Sequence, residues 1–128
     1  MPVRKGAAVW HGSLKEGHGH MQFGEGAFEG TYSVQSRFEE GPGTNPEELL
    51  GAAHAGCFSM ALSSGLSNAG FPPNSVQTTA QVHIAKKEAG WTVTRIHLIT
   101  QAEAPGIEGA AFLELAEKAK KTCPISRA

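Results

Sequence analysis

The sequence contains two cysteines, Cys57 and Cys123, and these are its strongest candidates for chemistry. A thiolate is a nucleophile and can be oxidised reversibly, whereas a buried free cysteine also serves as a small hydrophobic side chain. Cys57 lies among Ala, Gly, Phe and Met residues, which suits the structural role. Cys123 precedes Pro124 at the start of a predicted helix, and a helix N-terminus can lower the pKa of a thiol. Their spacing is not C-x-x-C, so only the fold could bring them together.

The composition excludes several classes of site. All 12 acidic residues are Glu, and the 128-residue sequence contains no Asp. This excludes the usual Ser-His-Asp triad, aspartic dyads, EF-hand loops and Walker-B-type sites, so any carboxylate chemistry must use Glu. Two cysteines are too few for a four-thiolate zinc site or a scaffold of several disulfides. The net charge of −1 argues against a nucleic-acid partner.

Targeting and membrane signals are weak. The first residues form no continuous apolar signal-peptide core, so we expect a single domain in the cytoplasm. Residues 49–85 form a run of 37 residues without Lys, Arg, Asp or Glu, which should be buried in a core or an interface. The 18 residues from 49 to 66 are long enough for a transmembrane helix, but they include His54, three Ser and three Gly. A buried central helix is therefore favoured over a membrane span.

The first half of the chain predicts β structure followed by a long helix. Short runs separated by Gly-rich turns predict strands at residues 7–12, 19–23 and 32–38. Asn45 suits a helix N-cap, and Pro46 suits the first helical position. The helix should continue to residue 68 or 69, where Gly70 and two prolines stop it. At 1.5 Å per residue it spans roughly 36 Å, which is most of the width of a domain of this size.

The second half predicts a hairpin and another helix. Residues 76–85 and 91–102 are rich in Thr, Val and Ile and are separated by a charged turn. Residues 109–121 carry an apolar stripe and end in lysines, as an amphipathic helix should. Pro124 can begin a last helix with Cys123 as its N-cap. The order of elements predicts an α+β fold with helices on one face of an antiparallel sheet.

Two motifs carry a resemblance to a known family. Residues 43–63, GTNPEELLGAAHAGCFSMALS, are similar to the central-helix motif of the OsmC/Ohr family, the osmotically inducible protein C and organic hydroperoxide resistance proteins. Residues 122–128, TCPISRA, resemble the second cysteine motif of that family, and SRFEEGPGTNPEEL supplies an arginine before the helix. The similarity runs along nearly the whole chain. The segment GAAHAGCFSMALS is more similar to the OsmC branch than to the Ohr branch.

The resemblance implies a thiol-dependent peroxidase acting on organic hydroperoxides and hydrogen peroxide. By residue matching, Cys57 is the peroxidatic cysteine, Cys123 the resolving cysteine, Arg37 the arginine that activates the thiolate, and Glu47 the glutamate that positions this arginine. It implies a Cys57–Cys123 disulfide recycled by an external dithiol, with no resident cofactor or metal. The implied fold is an intertwined homodimer with long central helices. The family continues into a short helix and a final strand, and we expect this strand to be absent or truncated in a sequence that ends at Ala128.

The implied roles can be checked against elementary electrostatics. Cys57 is in the middle of its helix, so the helix terminus cannot ionise it, and Arg37 is the only Arg or Lys between Lys15 and Lys86. Glu47 precedes Cys57 by ten residues, or roughly 15 Å along one helix. The two could approach each other across a dimer in which the helices of two chains cross antiparallel. We therefore favour a site composed from both subunits.

Simpler roles remain open for the charged residues. Arg37 could be a surface residue of a strand, paired with Glu39 or Glu40. Glu47 could merely complement the positive end of the helix dipole, as Glu48 does.

The histidines offer weaker alternatives. His11, His18 and His20 lie in a Gly-rich β region and could suggest a metal site, but surface positions are favoured. His54 lies about one turn before Cys57, where a Cys–His pair is conceivable and packing in the helix interface is favoured.

A different class of function is also open. The chain could be a non-enzymatic dimeric module that binds a small apolar ligand, with both cysteines serving only as packing groups.

Overall fold

The computed structural model describes residues 2–128, and the elements confirm an α+β protein. The chain divides into two compact units, one ending at Leu49 and the other covering Leu50–Ala128. The boundary lies inside the long second helix. The expected single sheet is instead divided among the described residues into a three-stranded and a two-stranded antiparallel sheet.

The first unit is built on the three-stranded sheet, in the order β1-β2-β3. Its strands are β1 (Gly6–His11), β2 (His18–Phe23) and β3 (Phe28–Tyr32). In this register Val9 lies opposite His20, and Met21 lies opposite Gly30.

The third predicted strand, at residues 32–38, is wrong. β3 ends at Tyr32, and a short helix, α1, covers Val34–Phe38. A capping box explains the change: Ser33 Oγ accepts the Ser36 N–H at 3.2 Å, and Ser36 Oγ accepts the Ser33 N–H at 2.8 Å. These two bonds satisfy donors at the helix start, so this local pattern overrides the strand-like composition.

The long helix α2 covers Pro46–Asn68, as predicted. The Glu48 N–H donates to Asn45 Oδ1 at 2.7 Å, which confirms Asn45 as the cap. The helix ends where Gly70 adopts a φ of 93° and the Phe71 N–H returns to the Leu66 carbonyl at 2.8 Å. By length and mean hydropathy α2 could cross a membrane, a test that core helices of soluble proteins also pass.

The second unit joins most of α2 to the hairpin and the last two helices. The predicted hairpin is confirmed as β4 (Ser75–Lys87) and β5 (Gly90–Glu103), followed by α3 (Gly109–Thr122) and α4 (Pro124–Arg127). The core consists of four buried residues from α2 and α3, with Val76 and Leu98 of the hairpin packed against them: Phe58, Leu62, Leu66 and Ala119. This packing fixes the middle of α2 against the C-terminal end of α3.

Candidate active site

Within the first unit, Arg37 and Glu47 form a bidentate ion pair. Arg37 Nε donates to Glu47 Oε1 and Arg37 Nη2 donates to Glu47 Oε2, both at 2.9 Å. Hydrogen bonding to Glu47 raises the pKa of Arg37, outweighing the opposing effect of burial, so the guanidinium is permanently charged. Arg37 is therefore a residue of the α1 helix with Glu47 as its salt-bridge partner, rather than a strand residue paired with Glu39 or Glu40.

The α1–α2 connection holds this pair in place. Ser36 Oγ donates to the Thr44 carbonyl at 2.7 Å, and Asn45 Nδ2 donates to the Ser36 carbonyl at 2.9 Å. Gly43 makes the turn possible because its φ is 105° and an added Cβ would lie 2.5 Å from the Thr31 carbonyl oxygen. Arg37 and Glu47 therefore come from segments that are bonded to each other on both sides of the loop.

Within the second unit, Cys57 and Cys123 are brought together. Cys57 projects from α2 and is half-buried, while Cys123 lies between α3 and α4 and is fully buried. Both thiols are free, and their side chains are hydrogen-bonded to each other. Cys57 and Cys123 are 66 residues apart in sequence, and the packing of α3 on α2 brings them together. The sequence motifs alone do not specify this packing.

The two thiols have opposite electrostatic environments. Burial raises the pKa of Cys57, and its hydrogen bond to Cys123 raises it further, although the Ile125 backbone lowers it. Burial also raises the pKa of Cys123, but the Cys57 thiol, the Ser126 backbone and hydroxyl and the Ile125 backbone together lower it below its ordinary value. Within this unit, the interaction between the two thiols thus raises the pKa of Cys57 and lowers that of Cys123.

His54 contacts this cluster in a way that sequence spacing did not indicate. It is buried on α2, and its Nε2 lies 2.7 Å from Ser126 Oγ. The conceivable Cys57–His54 pair is thus replaced by a His54–Ser126 pair next to Cys123. Ser126 was not among the predicted site residues. The available signal was a hydroxyl three residues after a cysteine at a helix start.

The remaining candidates do not assemble a metal site. Among residues 2–128, no group of three or more His, Cys, Asp or Glu side chains is placed to hold a metal ion. The His11 and His18 rings lie 5.5 Å apart, and His20 Nε2 is 3.9 Å from Glu29 Oε2.

The first unit also contains an apolar groove of about 410 Å³. Phe23 and Phe28 stack in its wall with ring centroids 5.2 Å apart. Thr44 and Leu49, which flank Glu47 in sequence, line another side.

An α+β chain that holds two reduced thiols in mutual contact has the architecture of a two-cysteine thiol redox protein. The family profile described as OsmC-like protein matches residues 39–128. The chain is 46% identical over 125 residues to the protein named peroxiredoxin OsmC of Escherichia coli (strain K12), covering 97% of this chain and 87% of the relative. The chain therefore belongs to the OsmC family. This result confirms the predicted family and its OsmC branch.

Solved structures share the fold. An organic hydroperoxide resistance protein OsmC from Legionella pneumophila superposes with a TM-score of 0.72 at 24% identity, covering 99% of this chain and 90% of that one. An OsmC-like protein of unknown function from Vibrio cholerae gives a TM-score of 0.78 at 18% identity, with 99% and 93% covered.

Proposed function

We propose that this protein is a thiol-dependent peroxidase that reduces organic hydroperoxides and hydrogen peroxide. The observation that carries the proposal is the direct contact between two reduced thiols, Cys57 and Cys123. The 46% identity to a protein named peroxiredoxin OsmC supports the same activity. A sulfenic acid formed on one sulfur would have a second sulfur within reach, which favours rapid conversion to a disulfide over further oxidation.

In the proposed cycle, the Cys57 thiolate attacks the O–O bond of the peroxide. Its sulfur gains one oxygen as sulfenic acid, and the alcohol or water leaves. Cys123 then condenses with the sulfenic acid, which releases water and forms a disulfide. An external dithiol exchanges with that disulfide and restores both thiols, so no resident cofactor is needed. We place the protein in the cytoplasm, where such dithiols are kept reduced.

Arg37 is the proposed activator of Cys57. Because burial raises the pKa of this thiol, a cation must offset the effect. A unit charge at about 4 Å contributes roughly 4 kcal/mol at an effective dielectric of about 20, or at most about 3 pK units. Glu47 occupies the Nε and Nη2 donors of Arg37, which leaves Nη1 to donate to the leaving peroxide oxygen.

Exposed apolar side chains support a homodimer. On α2, Met60 is 77% exposed although it lies in the uncharged run of residues 49–85. We propose that a second copy of the chain covers this face.

The site is proposed to be composed from both subunits. In such a dimer, the Arg37–Glu47 pair of one chain would supply a cation to Cys57 of the partner, whose pKa is shifted within its own unit by burial, Cys123 and the Ile125 backbone. A fully active monomer would contradict this arrangement.

Counting thiols tests the peroxidase proposal directly. One equivalent of cumene hydroperoxide added to reduced protein should remove two free thiols per chain, and Cys57→Ser should abolish this loss. If the thiol count is unchanged, the peroxidase proposal is refuted and the alternative, a dimeric binding module with an apolar groove, is favoured.

A further inference from the structure

His54 is a buried imidazole that the peroxidase cycle does not use. Its residue is only 7% exposed, and its Nδ1 is buried without a hydrogen-bond partner among residues 2–128. Its Nε2 bonds to Ser126 Oγ at 2.7 Å, across 72 residues of sequence. Burying a ring nitrogen without a hydrogen-bond partner costs free energy. The burial of His54 at this position therefore needs an explanation.

Ser126 connects this imidazole to Cys123. It is the third residue of α4, and Cys123 is the N-cap of the same helix. Cys123 makes no side-chain capping hydrogen bond, but the backbone and side chain of Ser126 are near enough to its sulfur to lower its pKa. Ser126 therefore contacts the buried His54 ring at 2.7 Å and lies one helical turn from the fully buried Cys123.

The proton positions along the series His54, Ser126 and Cys123 follow from counting hydrogen-bond donors. A serine hydroxyl has one proton, so if Ser126 donates it to Cys123, its oxygen must accept from His54 Nε2–H. That tautomer leaves His54 Nδ1 as a bare acceptor. An unpaired acceptor is tolerated better in protein interiors than an unpaired N–H, so the unpartnered Nδ1 fits this arrangement.

We infer that His54 and Ser126 are positioning residues for the resolving cysteine: His54 aims the Ser126 hydroxyl at the Cys123 sulfur and so holds Cys123 ready to attack. This inference rests on the proposed peroxidase function. In the step concerned, the Cys123 thiolate attacks the Cys57 sulfenic sulfur, the S–S bond forms, and the S–O bond breaks. The hydroxide that leaves is neutralised to water by the proton that Cys123 released to solvent when it ionised. The sulfenic sulfur is reduced as the thiolate sulfur is oxidised, so the electrons balance.

The first test needs no peroxide. Since the chain has two cysteines, Cys57→Ser leaves Cys123 as the only thiol, and its thiolate absorbance near 240 nm can be titrated. In that background, Ser126→Ala and His54→Leu should each raise the titration midpoint of Cys123 by about one pH unit. Ser126→Ala removes a hydrogen bond to the thiolate, and His54→Leu removes the side chain that orients this hydrogen bond. His54→Gln keeps a donor near the Nε2 position and should restore the midpoint to within a few tenths of a unit.

The second test follows the reaction in the chain with both cysteines. After one equivalent of cumene hydroperoxide, conversion of the sulfenic acid to the disulfide should slow about tenfold in Ser126→Ala and His54→Leu, with recovery in His54→Gln. Ser64→Ala, at an exposed serine of the same helix α2, is the matched control for loss of a hydroxyl.

The outcomes separate this inference from the proposed function. An unchanged Cys123 midpoint in Ser126→Ala, or equal defects in His54→Gln and His54→Leu, overturns the positioning role. A wild-type protein whose thiols ignore hydroperoxide overturns the peroxidase function, and the absorbance titration is unaffected by that result.

Discussion

Replacing Glu47 by Gln tests whether this carboxylate positions Arg37 or only stabilises a helix terminus. The amide has nearly the same size but no charge, and it can accept only one of the two Arg37 hydrogen bonds, each now 2.9 Å long. Hydrogen bonds to charged groups contribute about 1.5–3 kcal/mol. The side chains are 38% and 17% exposed, so solvent screening reduces the effect to about 1–2 kcal/mol. We therefore expect the oxidation of Cys57 to slow by about 5- to 30-fold.

The assay is single-turnover oxidation of the reduced protein by cumene hydroperoxide, followed by the loss of free thiols. Glu48→Gln is the matched control, because Glu48 lies in the same first turn of α2 and its carboxylate accepts the Thr44 hydroxyl at 3.1 Å. Both variants lose a helix-dipole interaction of about 0.3–1 kcal/mol, so both should melt at slightly lower temperature. Only Glu47→Gln should lose rate.

Equal losses of rate in the two variants would refute the positioning argument, since the helix terminus would then account for both. A normal rate in Glu47→Gln would also refute it. Arg37 would then be held by other contacts, or would not act in the reaction at all.

Three further predictions concern the thiols and the assembly. The disulfide form should be about 4 kcal/mol more stable than the reduced form, as measured by denaturant unfolding; equal stabilities would count against a pre-positioned pair. Arg37→Met should shift the rise of the oxidation rate with pH to higher pH, by up to about 3 units, because the thiolate of Cys57 would form only above its raised pKa. An unshifted pH–rate profile would show that Arg37 is not the cation that stabilises this thiolate. Met60→Glu should dissociate the dimer in sedimentation experiments, whereas Lys118→Glu should not; a Met60→Glu dimer of wild-type affinity would place the interface on another face.

Features with local sequence signals were predictable. The start of α2 follows from the Asn-Pro-Glu-Glu order, because a side-chain cap, a proline and two acidic residues each stabilise the first turn of a helix. The hairpin follows in the same way from two β-rich runs and a charged turn. The difference at residues 32–38 has a local cause too, since the Ser33–Ser36 capping box starts a helix in a segment whose composition is typical of a strand.

Long-range features were not predictable from patterns. The His54–Ser126 bond joins residues 72 positions apart and depends on how α4 packs beside α2, for which no local propensity exists. The division of the strands between two sheets likewise depends on which strand edges meet, and periodicity reports only which face of a strand is apolar. The four expected site residues follow from the family resemblance, whereas the partner of Ser126, His54, lies 72 residues away and has no local signal.

The complete burial of Cys123 predicts the direction in which an external thiol would reduce the oxidised protein in the proposed cycle. Such a thiol must reach a sulfur atom, and of the two cysteines only Cys57 is partly exposed. We therefore expect the incoming thiol to become covalently attached to Cys57 and to expel Cys123. Thiols of low pKa are expelled fastest in such exchanges, so the contacts that lower the pKa of Cys123 make it a good leaving group. Cys123 thus both forms the disulfide and favours its cleavage by an external thiol that attacks Cys57.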